Sequence, residues 1–204
     1  MGMAINIEKG HDIVLTKGSI ALSKILVGLG WDPVLVEKKG LIGTLLVDND
    51  FADIDCDVSV IMLDKQDRFV DKSHVVYFGN LKSFDESIVH LGDSLSGEGN
   101  GDDEQIIVEL PKISPNIYRL IFVVNIYQPN KRKQDFGLIK NAYIRIVNAS
   151  NNREFIRFNL SDDYKGKTTL IIGEIYRHEN EWRFLAMGEG TNDTSLNEVI
   201  TRYR

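Results

Sequence analysis

Hydrophobic positions along this chain fall into short runs rich in Val and Ile, and Gly, Pro, Asn and Asp separate the runs. Runs of roughly five to seven residues with such punctuation are typical of strands in an antiparallel sandwich or barrel. We predict strands at residues 58–63, 74–78, 106–110, 120–126, 142–147, 168–176 and 182–187. The predicted fold class is therefore all-β, an antiparallel β-sandwich.

Helical signals are few. Residues 136–141 predict one or two helical turns before the strand at 142, and His178, Glu179 and Asn180 predict a hairpin connection between the last two strands. The polar stretch 190–204 has weak periodicity and predicts an appended C-terminal tail with a short helix. We expect one domain over residues 1–190 and a tail over residues 191–204.

Composition sets the protein class. With 43% hydrophobic and 26% charged residues, the 204-residue chain is expected to be a soluble domain. It has no apolar run near the ~18 residues of a membrane span, and its first residues lack the pattern of a signal peptide. The single cysteine, Cys56, fits a reducing compartment, so a cytoplasmic location is expected. The net charge of −6 argues against general nucleic-acid binding.

The negative charge is local. Residues 48–57 and 93–104 carry five acids each and no Lys or Arg, which is ten of the 30 acids of the chain. Carboxylates at this density repel one another unless a cation neutralises them. Oxygen ligands, interspersed glycines and the lack of a His or Cys cluster favour Ca²⁺ over Mg²⁺. The alternative is two solvated acidic loops.

The first acidic segment ends in Asp53-Ile54-Asp55-Cys56-Asp57, where acids and apolar residues alternate. If this segment opens the strand at 58–63, its carboxylates lie on one face while Ile54 and Cys56 lie on the other. The carboxylate face is well suited to form one wall of a metal site, and the alternative is a charged edge strand that blocks aggregation.

The second acidic segment, residues 92–104, could form the other wall. Glycines at 97, 99 and 101 would let carbonyl and carboxylate oxygens turn toward one ion, and the hydroxyls of Ser94 and Ser96 could add neutral oxygens. The segment is not an EF-hand, because Leu95 and Glu98 occupy positions that need a ligand and a glycine. It is not a phosphate loop, because it lacks Gly-Lys-Ser/Thr and ends in three acids.

The sequence gives little support for a catalytic cysteine, a histidine metal site or a catalytic triad. Cys56 lies between two aspartates, which raise the pKa of a thiol, so we expect a buried core residue. The four histidines, His11, His74, His90 and His178, have no metal-ligand spacing. A Ser-His-Asp triad is not indicated by any local motif.

Several segments in the same order make the chain resemble the TerD family of tellurium-resistance and bacterial stress proteins, over roughly residues 5 to 190. The loop at 92–104 resembles the signature loop of that family. Matching segments also occur at 28–32, 55–59, 80–83, 122–126, 136–137, 141–148 and 173–178. Ser94 and Ser96 stand where the family loop usually has Asn and Thr, and Asn100 is neutral where an acid is common.

The resemblance implies a β-sandwich that binds Ca²⁺ in an acidic depression, with a non-catalytic role in tellurite resistance or a related stress response. Expected partners are proteins of the stress-resistance system or the inner face of the membrane. A metal-dependent hydrolase acting on a phosphate-containing or other anionic substrate is the alternative, and a scaffold whose metal only joins two loops is a third. The candidate metal ligands are Asp55, Asp57, Asp93, Ser96, Glu98, Asn100, Asp102, Asp103 and Glu104.

Overall fold

The structure is a computed structural model. It describes residues 4–17, 21–38, 48–51, 54–92, 101–160 and 162–204, and for residues 35–38 and 48–51 it describes the backbone. Fourteen strands are defined in these ranges: β1 Ile5–Ile7, β2 Asp12–Val14, β3 Lys24–Pro33, β4 Leu35–Lys38, β5 Asp48–Phe51, β6 Cys56–Leu63, β7 Val75–Val76, β8 Ile88–His90, β9 Glu104–Glu109, β10 Arg119–Ile126, β11 Ile139–Asn148, β12 Arg153–Asn159, β13 Thr169–His178 and β14 Glu181–Thr191.

Two six-stranded sheets pack face to face. The first has the strand order β1-β12-β11-β3-β9-β8, and the second has the order β2-β14-β13-β10-β6-β7. β4 and β5 form a separate two-stranded antiparallel sheet. The pairings are antiparallel except for that of β1 with β12. The predicted all-β sandwich is confirmed.

Period-two alternation explains the packing. In β10, Leu120, Phe122 and Val124 face the interior between the sheets, while Ile121 and Val123 face outward. β6 alternates in the same way, with even-numbered residues from Cys56 to Met62 inside. Because both faces of these central strands are apolar over most of their length, the outer face of the second sheet needs its own cover.

That cover is the C-terminal helix α2, Leu196–Thr201. Val199 and Ile200 of α2 pack on an outer cluster that includes Ile61, Ile121 and Ile171. Ser195 caps the helix by accepting a hydrogen bond from the N–H of Glu198. The short helix predicted after residue 190 is therefore present. The domain boundary predicted at residue 190 stays a prediction.

The other helical pieces within the described ranges are short. They are α1, Pro129–Arg132, and 3-10 turns at Lys72–His74, Leu110–Lys112 and Phe136–Leu138. The one or two turns predicted at 136–141 are thus reduced to a single 3-10 turn, after which β11 begins at Ile139.

One predicted strand is wrong in extent. The run 74–78 contributes only the two-residue strand β7, because the side chain of Asp71 accepts a hydrogen bond from the N–H of Ser73 and starts a 3-10 turn. Beyond β7, Tyr77 and Asn80 exchange backbone hydrogen bonds across a tight turn. Phe78, at the tip of that turn, is 47% exposed.

Candidate metal centre

The end of the first acidic segment, residues 54–57, follows the predicted alternation, whereas Asp53 lies outside the described residues. Cys56 is fully buried in the core between the sheets, and Ile54 lies in the same core. Asp57 has the opposite orientation and lies on the outer face of the second sheet, directly across from Asn125 in β10. Asp57 is also buried, with 6% of its surface exposed. Its neighbour Asp55 forms an ion pair with Arg132 at 3.5 Å.

The second acidic segment reaches the first through Glu104, the first residue of β9. Its side chain lies on the interior face with Ile106 and Val108, yet it is a carboxylate at the end of the sandwich. Oε2 of Glu104 accepts a hydrogen bond from the backbone N–H of Val58 in β6 at 3.1 Å. This contact crosses from one sheet to the other and joins the two acidic segments.

Asp103 is held by the neighbouring strand β3. Its Oδ2 accepts a hydrogen bond from the N–H of Trp31 at 2.7 Å, and its own N–H donates to the carbonyl of Leu29. Burial raises the pKa of Asp103, and although the Trp31 hydrogen bond opposes this, the charges of Asp32 and Asp102 add to it. A cation beside Asp103 would stabilise its ionised carboxylate and so oppose the rise in its pKa.

Asp102 faces away from these residues. Its carboxylate accepts hydrogen bonds from Nε and Nη2 of Arg145 at 2.7 and 2.9 Å and from the hydroxyl of Tyr143 at 3.1 Å. The hydrogen bond to Asp102 raises the pKa of Arg145, and burial and the Asp102 charge raise the pKa of Tyr143 to about 12. Gly28 of β3 makes room for this group, because a Cβ at that position would fall on the Asp102 carboxylate. The geometry therefore separates Asp102 from the other described candidates.

The other four described carboxylates of the candidate set act electrostatically on Cys56. Burial is the largest cause that raises the pKa of the Cys56 thiol well above its usual value, and the charges of Asp57, Asp55, Glu104 and Asp103 follow in that order. The hydrogen bond between Val58 and Glu104 brings the ends of the two acidic segments together in the fold.

Four predicted ligands lie outside the described residues, namely Asp93, Ser96, Glu98 and Asn100. Within the described ranges, no three His, Cys, Asp or Glu side chains stand close enough to hold a metal by themselves. The donors present, Asp55, Asp57, Asp103 and Glu104, are all carboxylates and fit a hard cation in type. A complete coordination shell would need further oxygens from the 93–100 segment.

Sequence reasoning missed the part played by His90. Its side chain is fully buried, and its Nε2 lies 3.1 Å from Oε2 of Glu104. Nδ1 of His90 accepts a hydrogen bond from the N–H of Gly92, so one imidazole links Glu104 to the start of the acidic loop. The signal that could have identified His90 is its position in the sequence, two residues before the acidic loop begins at Gly92. Trp31 and Arg145 carried no such signal, because their contacts depend on strand pairing.

Fold and site together define a β-sandwich with a carboxylate-rich centre where the ends of its two sheets meet. Comparison with known proteins agrees with this class. The model of the TerD domain family matches residues 3–203, so the chain belongs to the TerD family.

Two curated relatives cover nearly the whole chain. The chain is 53% identical to the stress response protein SCP2 of Bacillus subtilis, over 98% of this chain and 100% of that protein. It is 35% identical to the tellurium resistance protein TerD of Serratia marcescens, over 92% of this chain and 91% of that protein. The family resemblance inferred from the sequence is confirmed.

A solved structure supports the fold. The crystal structure of a TerD homologue from Streptomyces coelicolor A3(2) superposes with a TM-score of 0.65 at 24% identity, covering 87% of this chain and 95% of that one. Across the part of the chain that the structure describes, no helix has the length and apolar character needed to cross a membrane.

Proposed function

We propose that this protein is a non-catalytic, calcium-binding stress protein whose metal site lies where β6 and β9 meet. The observation that carries the proposal is the hydrogen bond from Val58 to Glu104, because it joins the two acidic segments across the sandwich. The names of the relatives, a stress response protein and a tellurium resistance protein, support the biological role.

The proposed ligands from the described residues are drawn from Asp57, Asp103 and Glu104, and these three do not hold one ion by themselves. Asp55 is at the margin because it already has Arg132 as a partner. Asp93, Ser96, Glu98 and Asn100 would complete the shell from the loop. Asp102 is left out of this set, because its carboxylate is fully enclosed and bonded to Arg145. Calcium would add positive charge beside the carboxylates of Asp57, Asp103 and Glu104 and would favour their ionised forms.

Exposed apolar side chains near this site suggest how bound calcium could act. Leu81 and Leu91 are 45% and 54% exposed, and the N–H of His90 donates a hydrogen bond to the carbonyl of Leu81. Leu91 follows His90 directly and leads into the acidic loop. Exposed apolar groups at a site are typical of surfaces that bind partners or membranes. We propose that calcium binding recruits a protein of the stress-resistance system or the inner face of the membrane.

We also propose that the protein acts in the cytoplasm. Cys56 is the single cysteine of the chain, and it is free and buried. The protein therefore needs no oxidising compartment for its stability.

The metal-dependent hydrolase is less well supported. Such an enzyme needs an open coordination position and a base that reaches a metal-bound water. His90 is the histidine beside the site, but its side chain is fully buried and already engaged with Glu104 and Gly92. It is therefore poorly placed to accept a proton from solvent.

Calcium titration calorimetry on the full chain tests the metal site, with thermal unfolding in calcium and in chelator as a second readout. Calcium at ~100 times its dissociation constant should stabilise the fold by about 2.7 kcal/mol. Asp57→Asn and Asp103→Asn should each weaken calcium binding, because each removes one carboxylate from the same centre. The matched control is Asp162→Asn, whose carboxylate is exposed and pairs with Lys9.

Equal melting temperatures in calcium and in chelator would refute the metal site. Calcium binding that needs Asp103 but ignores Asp57 would place the site in the loop alone. Flotation with phosphatidylserine vesicles, with and without calcium, separates a recruiting role from a scaffold. Vesicle binding only with calcium, lost in Leu91→Ser, supports membrane recruitment. Calcium binding without vesicle or partner binding supports the scaffold.

A further inference from the structure

A cavity of about 680 Å³ lies on the outer face of the second sheet, beside α2 and the turn after β7. Its volume is within the range of pockets that hold small organic ligands. Three polar residues of the central strands, Asp57, Ser59 and Asn125, line it from below. Asp57 and Asn125 are paired across β6 and β10, and Ser59 is two residues along the same face.

Two of these floor residues carry a buried side-chain oxygen for which the described residues provide no hydrogen-bond partner. Ser59 is 1% exposed and Asn125 is 8% exposed. Within the described part of the chain, neither the Ser59 hydroxyl nor Oδ1 of Asn125 makes a hydrogen bond. Buried polar atoms are nearly always satisfied in native proteins, so two neighbours that line one cavity call for an explanation.

α2 covers only part of the outer face of the second sheet. The helix covers the apolar half of this sheet face, where Val199 and Ile200 pack on Ile61 and Val123. The face becomes polar at Ser59, Asp57 and Asn125, and there the cavity adjoins α2, whose residues Leu196, Asn197 and Ile200 also line it. A sheet face selected only for packing would continue as Val or Ile at these central positions.

The walls and rim have a different character. Tyr77, Phe78 and Tyr127 present aromatic surface, and Phe78 and Tyr127 are 47% and 39% exposed. Lys72 and Arg204 also line the cavity, and among the described residues neither forms an ion pair. The cavity thus combines hydrogen-bonding groups at the floor, aromatic walls and two positive charges.

We propose that this cavity binds a nucleoside monophosphate. The acceptors at the floor, Oδ1 of Asn125 and the carboxylate of Asp57, suit the N–H groups of a base, and the Ser59 hydroxyl can donate or accept. The aromatic walls suit a planar ring. Lys72 and Arg204 suit the phosphate. The proposal does not depend on the calcium site, although Asp57 borders both.

The test is calorimetry and saturation-transfer NMR on the full chain with AMP, GMP, CMP and UMP, each in chelator and in calcium. At least one should bind with a submillimolar Kd in chelator. The matching nucleoside should bind at least about tenfold more weakly, since it lacks the phosphate.

Ser59→Ala and Asn125→Ser should each reduce the affinity for the nucleotide about tenfold, and Lys72→Ala should reduce it by a similar factor. Ser150→Ala and Lys140→Ala, both on exposed residues, are the matched controls.

Stability distinguishes this role from a structural one. Ser59→Ala should leave the melting temperature of the ligand-free protein unchanged or raise it, because it removes a buried hydroxyl that makes no hydrogen bond. Failure of all four nucleotides at millimolar concentration would overturn the proposal, and so would binding that Ser59→Ala and Lys72→Ala leave intact. Since binding is measured in chelator, failure here is distinguishable from failure of the calcium site.

Discussion

Glu104 and Val58 lie on different sheets, and a 3.1 Å hydrogen bond from the Val58 N–H to the Glu104 carboxylate connects them. The contact is possible because β7 pairs with β6 only at Val60 and Ile61, so Val58 has no partner from β7 on that edge. A side chain of the opposite sheet takes the place of a strand. The same carboxylate is 3.1 Å from His90, which fixes its orientation.

We expect Glu104→Ala to lower the free energy of unfolding in chelator by about 2 kcal/mol or more, because it leaves the buried Val58 N–H without an acceptor. Urea unfolding followed by tryptophan fluorescence measures this. Glu104→Gln should lose less, since the amide keeps an acceptor and removes a charge. The exposed Glu8→Ala should have little effect. If Glu104→Ala is as stable as the wild type, the contact contributes nothing to the fold.

Cys56 should react slowly with thiol reagents in the native protein. Burial, followed by the charges of Asp57 and Asp55, raises the pKa of its thiol, so little thiolate is present at neutral pH. Cys56→Ala should cost on the order of 1 kcal/mol through a small cavity and leave calcium binding unchanged. Labelling kinetics at neutral pH, with urea-unfolded protein as reference, provide the measurement. Labelling of native protein as fast as that of unfolded protein would contradict a structural role.

The orientation of Cys56 was predictable because it depends on local alternation, and the same is true of the strands around it. Other features depend on partners far along the chain. β3 carries glycines at 28 and 30, which weaken a strand signal but make room for the side chains of Asp102 and Tyr143. Asp102 looked equivalent to Asp103 and Glu104 in sequence. Only the pairing of β3 with β11 and β9 shows that it faces Arg145.

Asp102→Asn is therefore expected to reduce stability rather than calcium affinity. It would remove the charge that Arg145 pairs with at 2.7 Å, in a site where the Asp102 side chain is fully enclosed. The loss should be about 2 kcal/mol, with Arg145 partly screened by solvent. Gly28→Ala should be at least as damaging, because its Cβ would occupy the place of the carboxylate. A selective loss of calcium affinity in Asp102→Asn, with stability unchanged, would restore Asp102 to the set of metal ligands.

Asp85 should make the stability of the protein depend on pH in the acid range. Burial alone would raise the pKa of Asp85, but hydrogen bonds from Ser87, Ser114 and Ser83 outweigh it, and the net pKa is lowered. A lowered pKa stabilises the fold above the unfolded-state pKa of about 4, and this stability is lost as pH falls through the folded-state pKa.

The difference in unfolding free energy between wild type and Asp85→Ala should accordingly be about 2 kcal/mol near neutral pH and shrink below about pH 4. Urea unfolding across this pH range gives the profile. Asp163→Ala, at an exposed turn, is the control. A difference that stays constant down to pH 2 would show that the Asp85 charge does not contribute.

The segment after residue 190, for which the sequence predicts an appended tail, packs on the second sheet. Val199 and Ile200 are 0% and 6% exposed and complete the outer cluster on the second sheet. The backbone carbonyl of Tyr203 accepts a hydrogen bond from the N–H of Phe69, and Arg202 pairs with Asp193. Ile200→Ala should therefore destabilise the fold by about 2–4 kcal/mol, whereas Val70→Ala, at a 58% exposed position, should change it by less than about 0.5 kcal/mol.

Deletion of residues 192–204 should have a larger effect, because it would expose Ile61, Ile121 and Ile171 together on one sheet face. We therefore expect the truncated chain to aggregate at concentrations where the full chain stays in solution. Urea unfolding and size-exclusion chromatography report both effects. A truncated chain that unfolds at the same urea concentration as the full chain would show that the segment is a dispensable tail after all.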